Sequence, residues 1–194
     1  MKKSEYLYLD HAATTPMREI AIKAFIDAEH EGFANSSGGH NLSRKAKNIL
    51  EESRETISSI FEVAPNEIIF TSGGTEADNW SIKSLFDKNI DSDSNLVTSS
   101  IEHEAVLASA EWIKDNDFPV TFSECLNTGE LDKNSFLKAI NNDTIVASAM
   151  WANNETGIIQ PIKELTKEVK KNKFKYFIPF GCCPSCCFCK TKFS

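Results

Sequence analysis

Short apolar segments alternate with amphipathic segments along most of the chain, and this alternation constrains the fold more than any other feature. Apolar residues recur at helical spacing in the stretches 16–28, 43–61, 77–85, 104–114, 131–140 and 161–171. Strands are predicted beside them at 67–71, 96–98, 119–122, 144–150 and 174–178. Thr15 is expected to cap the first helix, with Pro16 as its first residue. Strands separated by helices predict an α/β fold, with a mainly parallel sheet and helices on both faces.

The net charge and the hydropathy pattern exclude several functional classes. The chain of 194 residues carries a formal net charge of -7, which argues against a nucleic-acid partner because phosphate backbones are bound by clusters of Lys and Arg. No apolar run reaches the ~18 residues that a membrane span needs. No apolar stretch with a cleavage site follows Met1, so no signal peptide is predicted. We therefore expect a cytoplasmic protein with no membrane partner.

Three loops are candidate ligand sites, because ligands of parallel sheets bind beyond the carboxyl ends of the strands. The first loop, residues 71–76, contains Gly73 and Gly74 just before a predicted helix. The N–H groups at the start of that helix, together with the Thr75 hydroxyl, can bind an anion such as a phosphate monoester. A tight turn with Thr75 as an ordinary cap, and no ligand, explains the same residues.

The second and third loops, residues 99–104 and 150–157, also carry polar side chains. His103 can lie over an aromatic ligand and transfer protons, although a histidine beside a helix start often has no ligand. The amides of Asn153 and Asn154 offer both donors and acceptors, and an Asx turn is their alternative role. Taken together, the three loops suggest a site for a phosphorylated small molecule and leave the molecule unidentified.

Four motifs of the chain resemble those of the cysteine desulfurases, pyridoxal 5′-phosphate (PLP) enzymes of the class V aminotransferase type. In family order they are LDHAATTP at 9–16, TSGGTEADN at 71–79, EHEAV at 102–106 and NNETGIIQPI at 153–162. The resemblance covers roughly residues 6–178. It implies that Gly74 and Thr75 bind the PLP phosphate, that His103 stacks on the ring and acts in catalysis, and that Asn154 contacts the ring hydroxyl or the substrate. It implies no metal site.

The resemblance also implies an activity and its partners. Cysteine desulfurases remove sulfur from L-cysteine, which leaves L-alanine and an enzyme persulfide for iron–sulfur or thiol-cofactor synthesis, with a sulfur-acceptor protein as a further partner. The family forms homodimers, and whether this chain does so stays open. The alternatives are a selenocysteine lyase, another class V aminotransferase-type enzyme, or a non-catalytic module that binds a metal or a protein partner.

Residues 179–194 depart from the family pattern. Five cysteines, at 182, 183, 186, 187 and 189, lie where the family has a His-x-Asp-Ala-x-Gln run. Reverse translation of this segment, shifted by one base, can encode such a run, so we expect a frameshift. A thiolate cluster that binds zinc or copper(I) is the alternative.

The expected domain organisation follows from these departures. Residues 1–15 form an N-terminal segment, residues 16–178 are part of the PLP-binding large domain, and residues 179–194 are an aberrant cysteine-rich tail. The family's Schiff-base lysine and persulfide cysteine match no position in the sequence. Because the chemistry depends on both, the resemblance predicts a truncated chain that is inactive by itself.

Overall fold

The computed structural model describes residues 7–86, 90–171 and 177–180. The chain divides into two compact units, Met1–Phe70 and Thr71–Ser194. No helix within the described ranges is both long and apolar enough to cross a membrane.

The N-terminal unit contains two helices, α1 (Glu19–Gly32) and α2 (Asn41–Phe61), followed by a short 3₁₀ turn at Pro65–Glu67. The prediction that Thr15 and Pro16 start the first helix is wrong, because α1 begins at Glu19 after an extended Arg18. The preceding segment is a turn, in which the Tyr8 hydroxyl donates to the carbonyl oxygens of Asp10 and Thr14 at 2.8 and 3.1 Å. Those local bonds hold the backbone outside the helix.

The strand predicted at 67–71 does not form, since residues 68–71 have no regular secondary structure. The Ile68 carbonyl, which would serve a neighbouring strand, instead accepts a hydrogen bond from the Arg54 guanidinium. The same guanidinium lies over the ring of Phe70, 4.9 Å from its centroid. A side chain of α2 therefore holds this apolar segment, and pattern alone could not reveal that it lacks a strand partner.

The C-terminal unit is the α/β sheet that the alternation predicts. Its elements are α3 (Gly74–Lys83), β1 (Asn95–Ser99), α4 (Glu104–Asp115), β2 (Val120–Ser123), α5 (Lys133–Ala139), β3 (Thr144–Met150), α6 (Ile162–Lys171) and β4 (Phe177–Phe180). The strands pair in the order β2-β1-β3-β4, and every pair is parallel. The predicted fold class is thus confirmed. Of the strand predicted at 174–178, residues 177 and 178 belong to β4, and residues 174–176 lie outside the described residues.

Helices cover both faces of this sheet, as predicted. On one face, Leu96 and Val146 pack with apolar residues of α3 and α4. On the other face, Val97 and Ala147 pack with residues of α5 and α6. Every residue of β1 and β3 is buried. Because these two central strands are parallel neighbours, their carboxyl ends place the loops at 100–103 and 151–161 side by side.

Candidate functional site

The first candidate loop leads into the N-terminus of α3. Gly73 is fully extended, and a Cβ added there would meet no atom within 4 Å, so space is open beside the backbone. Gly74 is buried as the first residue of the helix, whereas Thr75 is exposed. The Thr75 hydroxyl makes no hydrogen bond within the described residues. The first N–H groups of a helix lack intrahelical acceptors and carry partial positive charge, so this end of α3 suits an anion.

Glu76 folds back over the same loop. Its Oε2 accepts the Ser72 hydroxyl at 2.7 Å and the Ser72 N–H at 2.6 Å. These two bonds, the hydroxyl contributing most, lower the pKa of the Glu76 carboxyl. Since both Ser72 donors are occupied, an anion at the start of α3 would be held by helix N–H groups and Thr75.

His103 is the N-cap residue of α4, and its ring is fixed by one hydrogen bond. The Ala105 N–H donates to Nδ1 at 3.2 Å, and the side chain is half-buried. Because Nδ1 is an acceptor, the neutral ring carries its hydrogen on Nε2. His103 is therefore a helix cap whose ring is oriented by Nδ1, and the cap leaves Nε2 available to a ligand.

The two asparagines of the third loop have different roles. Asn153 Oδ1 accepts the N–H groups of Glu155 and Thr156 at 3.0 and 2.8 Å, which is the Asx turn anticipated from the sequence. Gly157 closes that turn with a φ of 73°. Asn154 is exposed, and its amide makes no hydrogen bond within the described part of the chain. Asn153 thus builds the loop, and Asn154 is available to a ligand.

Direct hydrogen bonds join the second loop to the third. Asn153 Nδ2 donates to the Ile101 carbonyl at 3.1 Å. Glu102 Oε1 accepts the Met150 N–H at 2.8 Å. The structure therefore brings the loops of His103 and Asn154 together. It connects Gly74 and Thr75 to them through α3, which packs against α4 in one apolar cluster that includes Ile82 and Val106.

Glu102 is the residue that sequence reasoning missed. It is only 6% exposed, and burial raises the pKa of its carboxyl to about 7, although bonds from Ser99 and Met150 lower it and the nearby Asp78 carboxylate raises it further. A charged residue placed three positions after the end of an apolar strand was the available signal. The pattern could not show whether that carboxyl points to water or to the interior.

The alternative that the sequence raises is a metal or thiolate site. Within residues 7–86, 90–171 and 177–180, no three His, Cys, Asp or Glu side chains gather to hold a metal ion. The cysteines at 182–189, on which the thiolate alternative rests, lie outside the described residues. Cys125 is a free thiol, and burial raises its pKa, which disfavours the reactive thiolate form.

Known proteins give the same family assignment throughout. The family described as Aminotransferase class-V matches residues 7–178. A cysteine desulfurase IscS of Methanosarcina thermophila is 38% identical over 175 residues, which are 90% of this chain and 43% of that protein. A cysteine desulfurase IscS of Dictyoglomus turgidum is 39% identical over 165 residues, 85% of this chain and 42% of its own length. The chain therefore spans less than half the length of these relatives.

Solved structures agree with the sequence comparisons. The structure described as SspA in complex with cysteine superposes with a TM-score of 0.82 at 31% identity, over 88% of this chain and 49% of that one. Strands β1, β2 and β3, the first two residues of β4 and the loops at 100–103 and 151–161 fall within the matched sequence range of 7–178.

Proposed function

The chain belongs to the class V aminotransferase family, and on that premise we propose that it forms the PLP-binding part of a cysteine desulfurase site. The observation that carries the proposal is that the second and third loops are hydrogen-bonded to each other and that the first leads into α3, which packs on α4 in the same unit. Together they offer a helix start suited to an anion, an oriented imidazole and an unpaired amide. The curated relatives named above are cysteine desulfurases, and one similar structure was solved with cysteine.

The residues present fit the phosphate end of the cofactor. Gly73 leaves open space before α3, and the helix start offers N–H donors next to the unpaired Thr75 hydroxyl. A phosphate bound there gains both hydrogen bonds and the favourable helix dipole. We assign Thr75 to the phosphate on this basis, and Gly74, the buried first residue of α3, on the family resemblance.

The residues at the carboxyl edge fit the ring and the substrate. We assign His103 to the face of the cofactor ring, where Nε2 holds a proton that it can exchange with the substrate. Asn154 has a free amide that can bond the ring hydroxyl or the substrate carboxylate. PLP supplies an electron sink for bond cleavage in amino acids, and the chain's own residues bind it, orient it and handle one proton.

We propose L-cysteine as the substrate, with alanine and a persulfide as products and a sulfur-acceptor protein as a partner in a cytoplasmic setting. Neither a selenocysteine lyase nor a non-catalytic module is favoured by the relatives named above. The lysine and the persulfide cysteine implied by the resemblance match no position among the 194 residues. Cofactor binding, and not turnover, is therefore the property that tests these residues.

The test is binding of pyridoxamine 5′-phosphate, which lacks the aldehyde and so cannot react with surface lysines. Replacing Thr75 with Val removes a hydroxyl bonded to a charged group, and should weaken binding by about 10- to 100-fold. Binding of pyridoxamine without the phosphate should stay unchanged in T75V. Thr121→Val is the matched control, because Thr121 is an exposed threonine of β2. Equal affinity of T75V and wild type for the phosphorylated ligand would remove Thr75 from the site.

A further inference from the structure

Glu102 occupies a position that the proposed function does not use. Its Oε1 accepts the Ser99 hydroxyl at 2.8 Å and the Met150 N–H at 2.8 Å. Ser99 is the last residue of β1 and Met150 is the last residue of β3. One carboxyl oxygen thus bridges the ends of two neighbouring parallel strands, at the edge where the candidate loops lie.

The other oxygen of Glu102 lies in a different environment. Oε2 is buried and has no hydrogen-bond partner within the described residues. Glu102 also forms no ion pair in that part of the chain. The titratable groups that face it are the Asp78 carboxylate of α3 and the Cys125 thiol after β2, and neither is a cation. A negative charge on a buried oxygen without donors is costly, so this environment favours the neutral acid.

The neighbours of Glu102 are the residues whose placement matters. Ile101 precedes it and is bonded through its carbonyl to Asn153 at 3.1 Å. His103 follows it and caps α4 through the Ala105 N–H. The short loop between β1 and α4 is therefore held to the third loop at two points. Of these, only the bond from Met150 to Glu102 depends on a group that can ionise.

We propose that Glu102 is a positioning residue, which through Oε1 ties the His103 loop to the end of β3 and so sets how His103 and Asn154 face a common ligand. The proposal rests on the proposed function only in taking these two loops to share a ligand. The bonds from Ser99 and Met150 lower the pKa of the Glu102 carboxyl, so its ionised form accepts them at least as well as the neutral acid and the tie does not require one protonation state.

Two substitutions distinguish the hydrogen bond between Met150 and Glu102 from a role of Glu102 in packing alone. Glu102→Gln keeps an acceptor oxygen at the Oε1 position and cannot ionise, whereas Glu102→Ala removes the tie. Glu104→Gln is the matched control, since Glu104 is an exposed carboxylate two residues away. The first readout is hydrogen exchange of the Met150 amide in the ligand-free chain, corrected for intrinsic rates, about one pH unit below and above 7.

In the wild type, in E104Q and in E102Q, protection of the Met150 amide should be high at both pH values, because each keeps an acceptor at the Oε1 position. In E102A the protection should be low at both. Glu102→Leu, which fills a similar volume without an acceptor, should match E102A and takes its place if E102A does not fold. Protection of the Met150 amide in E102A or E102L equal to that in the wild type would overturn the proposal.

The second readout is the affinity for pyridoxamine 5′-phosphate over the same pH interval. An affinity that falls in E102A and E102L and is retained in E102Q supports the positioning role, because leucine preserves the packing and lacks the acceptor oxygen. Ligand binding that is unaffected by either Glu102 substitution would end this proposal and leave the proposed function standing. The expected exchange result without any ligand binding would instead retain the tie and reject the proposed function.

Discussion

The two units of the chain use similar amphipathic patterns with opposite results. In the N-terminal unit, α1 buries no residue, and its Ile20 and Phe25 side chains are 76% and 65% exposed. In the C-terminal unit, apolar residues of the same kind form two clusters on opposite faces of a parallel sheet. A periodic apolar face therefore specifies a helix, and it becomes a core only where another element offers a surface to cover it.

The largest expected effect tests this difference with one residue type. Phe136 in α5 is fully buried in the second apolar cluster. Phe136→Ala should lower the free energy of unfolding by about 3–5 kcal/mol, because it removes buried surface and leaves a cavity. Phe25→Ala in α1 should change it by less than about 0.5 kcal/mol. Urea unfolding of both variants measures the contrast, and similar losses would show that α1 is covered in solution.

The difference between apolar segments that another element covers and those that stay uncovered also explains how far the sequence could predict the fold. The bounds of β3 and the parallel α/β class followed from the pattern, because a largely apolar run such as 144–150 is buried on both faces. The run at 67–71 has similar composition and forms no strand, because Arg54 bonds the Ile68 carbonyl. Whether a run pairs with a neighbour depends on residues distant in the sequence, which periodicity does not report.

The candidate site was predictable in part for a related reason. Gly74, Thr75, His103 and Asn154 lie in loops whose glycines and polar residues identify them, and their assignment to a cofactor came from the resemblance. Glu102 was not predictable, because its importance lies in burial and in a bond to Met150, forty-eight positions away. Asn153 likewise was separable from Asn154 only when its bonds to Ile101 and Thr156 were known.

The second-largest expected effect is a pH dependence of stability that comes from a buried carboxyl of the C-terminal unit. The carboxyl of Glu102 has a pKa raised from 4.5 to about 7 by burial. The native state therefore holds a proton that the unfolded state has released, so stability is highest below 4.5 and declines as the pH rises to about 7. The loss should total about 3 kcal/mol, since one pKa unit corresponds to about 1.4 kcal/mol.

Urea unfolding across that pH range measures this decline, and the difference between wild type and Glu102→Gln isolates it from other carboxyls. At low pH the wild type, with a neutral Glu102, should be more stable than Glu102→Gln. This difference in the free energy of unfolding should shrink as the pH rises, because only the wild-type side chain ionises. Amide exchange within α1 should not follow the profile, because no carboxyl of residues 7–70 is buried. The same pH dependence of amide exchange in α1 and in the C-terminal unit would show that the two units do not respond independently to Glu102.

A third effect compares helix caps in the two units. The Asp132 carboxylate accepts the N–H groups of Asn134 and Ser135 at 2.9 and 3.2 Å at the start of α5. Asp132→Ala should cost about 1 kcal/mol of global stability, because α5 belongs to the sheet core. His40 caps α2 by accepting the Ser43 N–H at 3.3 Å. His40→Ala should raise amide exchange only near the start of α2, and an equal loss of global stability would contradict this.

The smallest effect concerns an exposed acid of the C-terminal unit, and it asks whether exposure or unit membership governs the energetics. Glu76 is exposed, and its bonds from the Ser72 hydroxyl and N–H lower the pKa of its carboxyl. A lowered pKa gives stability that is present above 4.5 and lost as the pH falls through the native pKa, which is the reverse of Glu102. Solvent screens both bonds, so Glu76→Gln should leave the urea midpoint at neutral pH almost unchanged. It should only slightly reduce the loss of stability at acidic pH.

Because the variant also removes a negative charge beside the start of α3, it should strengthen binding of pyridoxamine 5′-phosphate while leaving the affinity for pyridoxamine unaffected. A large loss of stability at neutral pH would instead mean that the Ser72–Glu76 bonds hold the turn before α3 together, and that an exposed position in this unit contributes as much as a buried one.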